Sequence, residues 1–96
     1  MLVRASSGSG GGGSATFETI TVAPNTTETV KMTNGMYVCW YSTGVNPNNC
    51  GKVENKVYST FGRTSGNISV SYDTSTETLS FTSTHTVDFY CNVCYW

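Results

Sequence analysis

Charge is scarce in this chain: five Lys and Arg stand against six Asp and Glu in 96 residues. The basic residues Arg4, Lys31, Lys52, Lys56 and Arg63 are scattered. They form no cluster that could neutralise a row of phosphates, so no nucleic-acid partner is expected. No apolar run approaches the ~20 residues of a membrane-spanning helix, and no membrane partner is expected either. Met1-Leu2-Val3-Arg4 is followed by Ser and Gly instead of the apolar stretch of a signal peptide. The expectation is a chain made in the cytoplasm without Sec export, or one whose leader has been replaced. Histidine occurs once, as His85 in Ser83-Thr84-His85-Thr86, and it reads as a solvated loop residue, not as the base of a triad with Asp88. The six carboxylates are isolated from one another. No pair is set for acid–base work and no Asp-rich loop suggests calcium. The chain therefore reads as a non-enzyme, with no cofactor, no metal and no small-molecule substrate.

What the chain has in abundance is hydroxyl and glycine. Ser and Thr account for 28 residues, mostly on the polar positions of strand-like segments. Residues 1–14 end in Ser-Gly-Ser-Gly-Gly-Gly-Gly-Ser and hold little to bury, so they read as a Gly/Ser-rich arm or linker ahead of a domain over 15–96. The arm lacks the Lys and the preceding strand of a phosphate-binding loop. It is either a disordered linker or an extended arm threading along a neighbour, where Gly11 and Gly12 would permit close backbone approach. A folding unit this small buries a thin core, so a staple is expected: disulfides, a metal, or burial against neighbouring subunits.

From Thr16 onward the pattern predicts seven short strands and no helix. Phe17, Ile20 and Val22 mark the first, and Pro24 closes it in the turn Ala23-Pro24-Asn25-Thr26. Asn34-Gly35 between two apolar-patterned segments predicts a tight hairpin, pairing Thr33 with Met36, Met32 with Tyr37 and Val30 with Cys39. Its core face is then Val30, Met32, Tyr37, Cys39 and Tyr41. Val38 and Trp40 fall outside, over Lys31 and threonines, and are placed to meet a partner. Thr43 to Gly51 is a turn-rich loop, and Lys52 to Phe61 reads as one strand with Val53, Val57 and Phe61 on one face. Ile68 to Tyr72 and Leu79 to Phe81 alternate strictly and are joined by Asp73-Thr74-Ser75-Thr76 as a second hairpin.

The last ten residues, Val87 to Trp96, are apolar or aromatic at eight positions. Val87, Phe89, Cys91, Val93 and Tyr95 share one face, while Asp88, Tyr90, Asn92, Cys94 and Trp96 share the other. This predicts a strand inside a sheet, fully covered on one side, with Tyr95 and Trp96 as candidate subunit contacts beside Trp40. The fold expected is all-β, a small antiparallel sandwich.

Four cysteines remain: Cys39, Cys50, Cys91 and Cys94. A zinc ribbon needs two CxxC knuckles on tight turns, whereas Cys91-Asn92-Val93-Cys94 is a single one in an extended strand. Disulfides or core packing are the expectation. Cys39 and Cys91 both fall on apolar faces and can meet in the core or across neighbouring strands, and Cys50 could reach Cys94. Asn25-Thr26-Thr27 and Asn67-Ile68-Ser69 are glycosylation sequons that matter only for a secreted chain of a eukaryotic host.

Two resemblances add to this reading. The Met-Leu-Val-Arg start, the Ser/Gly-rich arm, the Thr-rich strand Phe17-Glu18-Thr19-Ile20-Thr21-Val22 and the aromatic end Phe89 to Trp96 resemble small structural proteins of tailed bacteriophages and prophages. The resemblance implies a virion component, such as a capsid decoration, head-fibre or tail accessory protein. Such a subunit is homo-oligomeric and partnered by other virion proteins. Val38-Cys39-Trp40-Tyr41 and Asp88-Phe89-Tyr90-Cys91 resemble the core-tryptophan strand and the second cysteine strand of immunoglobulin-like domains. That resemblance implies a secreted or cell-surface recognition module, although Cys39 precedes the Trp directly instead of lying a strand earlier.

Overall fold

Alternation of apolar and hydroxyl residues sets the architecture, because only an extended strand sends successive side chains to opposite sides. The computed structural model describes residues 15–41, 49–61 and 66–96, without the side chain of Tyr41. Among them are eight strands and no helix: β1 (Thr16–Val22), β2 (Thr27–Lys31), β3 (Gly35–Tyr41), β4 (Asn49–Glu54), β5 (Val57–Thr60), β6 (Ile68–Asp73), β7 (Thr78–Ser83) and β8 (Phe89–Tyr95). They form two antiparallel sheets, one of five strands in the order β1-β8-β3-β4-β5 and one of three in the order β2-β7-β6. The expected all-β sandwich is the fold.

The terminal strand lies where its apolar pattern requires. β8 runs between β1 and β3, with Ile20, Cys91 and Cys39 aligned across the three strands. Its inward residues Phe89, Cys91 and Val93 are buried together with Val22, Tyr37, Cys39 and Val53 of the same sheet. Val30, Leu79, Phe81 and Ile68 close the core from the smaller sheet. The β6–β7 hairpin forms as expected, Asp73 pairing with Thr78. Its turn is held by Asp73, whose Oδ1 accepts from the Ser75 amide at 2.9 Å and the Ser75 hydroxyl at 2.7 Å. These bonds, the hydroxyl first, hold the Asp73 carboxyl below its ordinary value.

Several expectations are corrected. Asn34-Gly35 does not close a hairpin: β2 pairs with β7, while β3 pairs with β4 and β8, so the chain crosses between sheets at this point. A tight primed turn needs positive φ at both central residues, and neither Asn34 nor Gly35 has it. Gly35 serves close approach instead. A Cβ there would lie 2.5 Å from the Cys94 carbonyl oxygen and 2.8 Å from the Tyr95 Cβ.

The primed hairpin lies elsewhere. Asn55 and Lys56 have φ of 53° and 68° and split the expected strand Lys52–Phe61 into β4 and β5, which gives eight strands instead of seven. β4 also begins at Asn49, inside the segment expected to be loop. The split turns over the faces: Val53 is buried, while Val57 and Phe61 come out on the opposite side. In the first strand, Phe17 likewise lies opposite the face shared by Ile20 and Val22, as a period of two demands.

The sheets are tied together by polar contacts at their margins. The Asn49 side chain of β4 donates to the Ile68 carbonyl of β6 at 3.2 Å, while the Met32 amide continues the β2–β7 pairing by donating to the Glu77 carbonyl at 2.9 Å. The Tyr72 hydroxyl donates to the Met32 carbonyl at 2.7 Å. The hydroxyl of Thr33 donates to the Glu77 carboxylate, which Lys56 also approaches at 3.3 Å. These contacts, Thr33 first, lower the Glu77 carboxyl from its ordinary value.

Candidate contact surface

The two sheets turn chemically opposite faces to solvent. On the three-stranded sheet the outward positions are Thr27, Thr29, Lys31, Ser69, Ser71, Asp73, Thr78, Ser80 and Thr82. All are hydroxyl or charged, and the Thr27 and Thr82 hydroxyls bond across the strands at 2.9 Å. That is the ordinary wet side of an antiparallel sheet.

The outer face of the five-stranded sheet has a different composition. Following the register from β1 to β5, one row reads Phe17, Cys94, Met36, Lys52 and Ser59. The next reads Thr19, Asn92, Val38 and Cys50, and the Phe61 amide extends it by bonding the Cys50 carbonyl at 3.0 Å. Trp40 and Tyr90 close one end with ring centroids 5.9 Å apart. Trp96 lies at the other end, its amide donating to the Asn34 carbonyl at 3.0 Å. Phe17, Met36, Val57, Phe61 and Trp96 are 48%, 45%, 66%, 45% and 60% exposed, so much of this apolar surface meets water.

Four of the polar side chains on this face are matched in two pairs. The Thr19 hydroxyl donates to the Asn92 side-chain oxygen at 2.6 Å, and Lys52 pairs with Glu54 at 3.2 Å. Covering the face would leave these groups with partners, which removes the main penalty for burying polar atoms. A shallow cavity of about 200 Å³ opens at the Trp96 end, walled by Asn34, Met36, Lys52 and Glu54 among others.

The residues singled out from sequence are distributed unequally. Cys39 and Cys91 form a disulfide across neighbouring strands of one sheet, Cα to Cα 4.0 Å. It is an intrasheet bond, not the bridge between sheets that an immunoglobulin-like domain carries. Cys50 and Cys94 are free thiols, half-buried on the outer face. Cys50 pairs in register with Val38 and Cys94 with Met36, so they flank β3 on opposite sides and are not bonded to each other. Trp40 and Val38 do lie outside, but beside Tyr90, Asn92 and Cys50 and not over Lys31, which belongs to the other sheet. The core tryptophan position implied for Trp40 is unfilled by it, and Tyr37, Phe81 and Phe89 are the large buried aromatics.

Tyr95 faces inward, half-buried against the core, and its hydroxyl donates to Glu18 at 3.3 Å. Burial first, and the Glu18 carboxylate second, push the Tyr95 phenol up. Gly11 and Gly12 lie outside the described residues. His85 is not simply a solvated residue: its Nδ1 accepts the Thr86 amide at 2.8 Å and the Val87 amide at 3.2 Å, holding the turn into β8.

Sequence reasoning missed Phe17, Val57 and Phe61 as members of the outer face. Strict parity could have found Phe17. Val57 and Phe61 required the Asn55-Lys56 turn to be recognised. Comparison of the chain with protein-family models, with curated proteins and with solved structures finds no match.

Proposed function

We propose that this chain is a non-enzymatic structural subunit that works by contact with other protein chains, its own copies first, as a component of a tailed-phage virion. The observation that supports it is the contrast between the two outer faces. One is wholly hydroxyl or charged, and the other carries Phe17, Met36, Val57, Phe61 and Trp96 in the open. Large exposed apolar side chains gathered on one face of a sheet are what an interaction site presents. A general richness in apolar residues is not the cause, because the same chain keeps its other sheet face hydroxyl-coated. The virion setting rests on the resemblance in sequence alone.

A native mass spectrum of the purified chain, recorded without reductant, tests the reading. A discrete homo-oligomer or larger assembly is the expected result, reduced to smaller species by Trp96→Ser. Substitution is preferred to truncation here, because removing Cys94 to Trp96 would also strip pairing from Thr16, Phe17, Gly35 and Met36. A chain that stays monomeric at every concentration would overturn it.

The second reading is a secreted or cell-surface recognition domain, favoured by the Cys39–Cys91 disulfide. Such bonds persist in oxidising surroundings, a setting that outer surfaces of virions share. Its signature is a monomer carrying the disulfide and a glycan at Asn25 or Asn67.

A further inference from the structure

We infer that the outer face of the five-stranded sheet is covered by the same face of a second copy, β3 lying at the middle of the contact, so that two sandwiches stack into four layers. The inference rests on reading the chain as a contact-making subunit and names the occupant of its apolar face.

Three observations point to a second copy. The first is charge. Among the strand residues in register on this face only Lys52 and Glu54 are charged, and they pair with each other at 3.2 Å. The face is therefore neutral as a whole, and a copy laid upon it meets no field of its own sign. A basic or acidic partner would find nothing to complement. β3 presents Met36, Val38 and Trp40 outward and carries no charge from Gly35 to Tyr41, so a two-fold axis passing over it opposes no like charges. Depletion of charge at the centre is what distinguishes the buried core of an interface.

The second is internal satisfaction. Thr19 bonds Asn92 within the face, so desolvation by an equally apolar copy leaves the Thr19 hydroxyl and Asn92 Oδ1 with a partner.

The third is area. Strands of seven, seven, seven, six and four residues, at about 3.4 Å per residue and about 4.8 Å spacing, give a plan of roughly 500 Å² per copy. That is about 1,000 Å² for two copies, at the ~1,000 Å² expected of a specific contact. Two sheets of like twist also stack readily at the ~10 Å spacing that side chains such as Met36 and Val38 fill.

The two free thiols report the contact. Cys50 and Cys94 flank β3 on this face, and with Cys39 and Cys91 bonded to each other they are the only cysteines open to alkylation. The experiment measures iodoacetamide labelling of the full chain over a concentration series, alongside mass by light scattering. The inference expects a dimer whose Cys50 and Cys94 label at least tenfold more slowly than in the dilute monomer. It also expects Met36→Lys, at a position already 45% exposed, to yield a folded monomer with both thiols reactive at all concentrations. A far-ultraviolet spectrum unchanged from the parent shows that the variant folds, and the labelling of the parent chain stands without it.

An oligomer whose mass and labelling ignore Met36→Lys overturns this inference and leaves the contact-making subunit standing. A strictly monomeric chain with reactive thiols overturns both. A monomer whose thiols stay protected at every dilution overturns the second copy.

Discussion

The hydroxyls of Tyr37 and Tyr58 meet at 2.9 Å at the margin of the core, joining β3 to β5 across the intervening β4. Tyr37 is 1% exposed and packs edge-on to Phe81 at 5.3 Å, while Tyr58 stacks on Tyr72 at 6.2 Å. The pair lets a large aromatic enter the core without stranding its hydroxyl. Gly51 makes room for it, since a Cβ there would lie 2.7 Å from the Tyr37 ring.

Removing one half of that pair should cost more than removing both. Tyr58→Phe leaves the Tyr37 hydroxyl buried without its partner, and about 1–3 kcal/mol of stability should be lost. Tyr37→Phe/Tyr58→Phe removes both polar groups and should lose clearly less than the sum of the single changes. Urea unfolding of the four chains gives the coupling directly. Additive losses would show that the two hydroxyls do not depend on each other.

Alkaline pH should unfold the protein through the same residue. Burial first, and the bond to Tyr58 second, push the Tyr37 phenol far above its ordinary value of 10.0. A folded-state value raised above the unfolded one means that the neutral phenol is favoured by folding. That contribution is complete below pH 10 and is lost as pH rises beyond it. Stability followed by urea midpoint from pH 8 to 11.5 should fall at the upper end, and Tyr37→Phe should flatten the fall. An equal slope in the variant would assign the alkaline loss to other groups.

The Asn55-Lys56 turn should tolerate, and gain from, a glycine. Lys56 sits at φ 68°, a region that costs an L-residue ~1–2 kcal/mol. Lys56→Gly removes that strain and also the solvent-screened ion pair with Glu77, whose contribution is small. The added freedom of glycine in the unfolded chain offsets part of the gain. The expected outcome is a net stabilisation of about 0.5 kcal/mol, read as a higher thermal midpoint. A loss of stability would mean that the Lys56 side chain contributes more than its exposure suggests.

The contrast between that turn and Asn34-Gly35 explains what the sequence made legible. Alternation is a local property, so β6, β7 and β8 and their inward faces could be read from Ile68, Leu79 and Phe89 onward. Pairing is not local. Asn34-Gly35 carries the strongest two-residue turn signal, yet Met32 is drawn to Glu77 and Gly35 to Tyr95, on two different sheets. Asn55-Lys56 carries the weaker signal and forms the hairpin, because Val53 and Tyr58 can then both face the core. The contact surface was half legible for the same reason. Val38 and Trp40 fell outside by parity, whereas their placement on one face with Cys50, Cys94 and Phe17 became visible only once the strand order was known.

Loss of the Cys39–Cys91 bond should weaken the fold, and loss of the other two thiols should not. The bond closes a loop across 52 residues, for which the chain-entropy account gives about 4 kcal/mol. Neighbouring strand pairing already holds the two Cα atoms 4.0 Å apart in the folded state, so the stabilisation acts chiefly on the unfolded chain. Compact unfolded chains reduce the figure, and Cys39→Ala/Cys91→Ala should lose ~2–4 kcal/mol in guanidinium unfolding. Reductant should impose a similar loss on the parent chain and none on that variant. Cys50→Ser/Cys94→Ser, altering only half-buried thiols on the outer face, should keep the monomer's stability within about 0.5 kcal/mol and remain sensitive to reductant. If the first variant matched the parent in stability, closure of the loop would not be what supports so small a core. The staple would then have to be sought in the contact across the five-stranded sheet, where diluting the chain, and not reducing it, would unfold it.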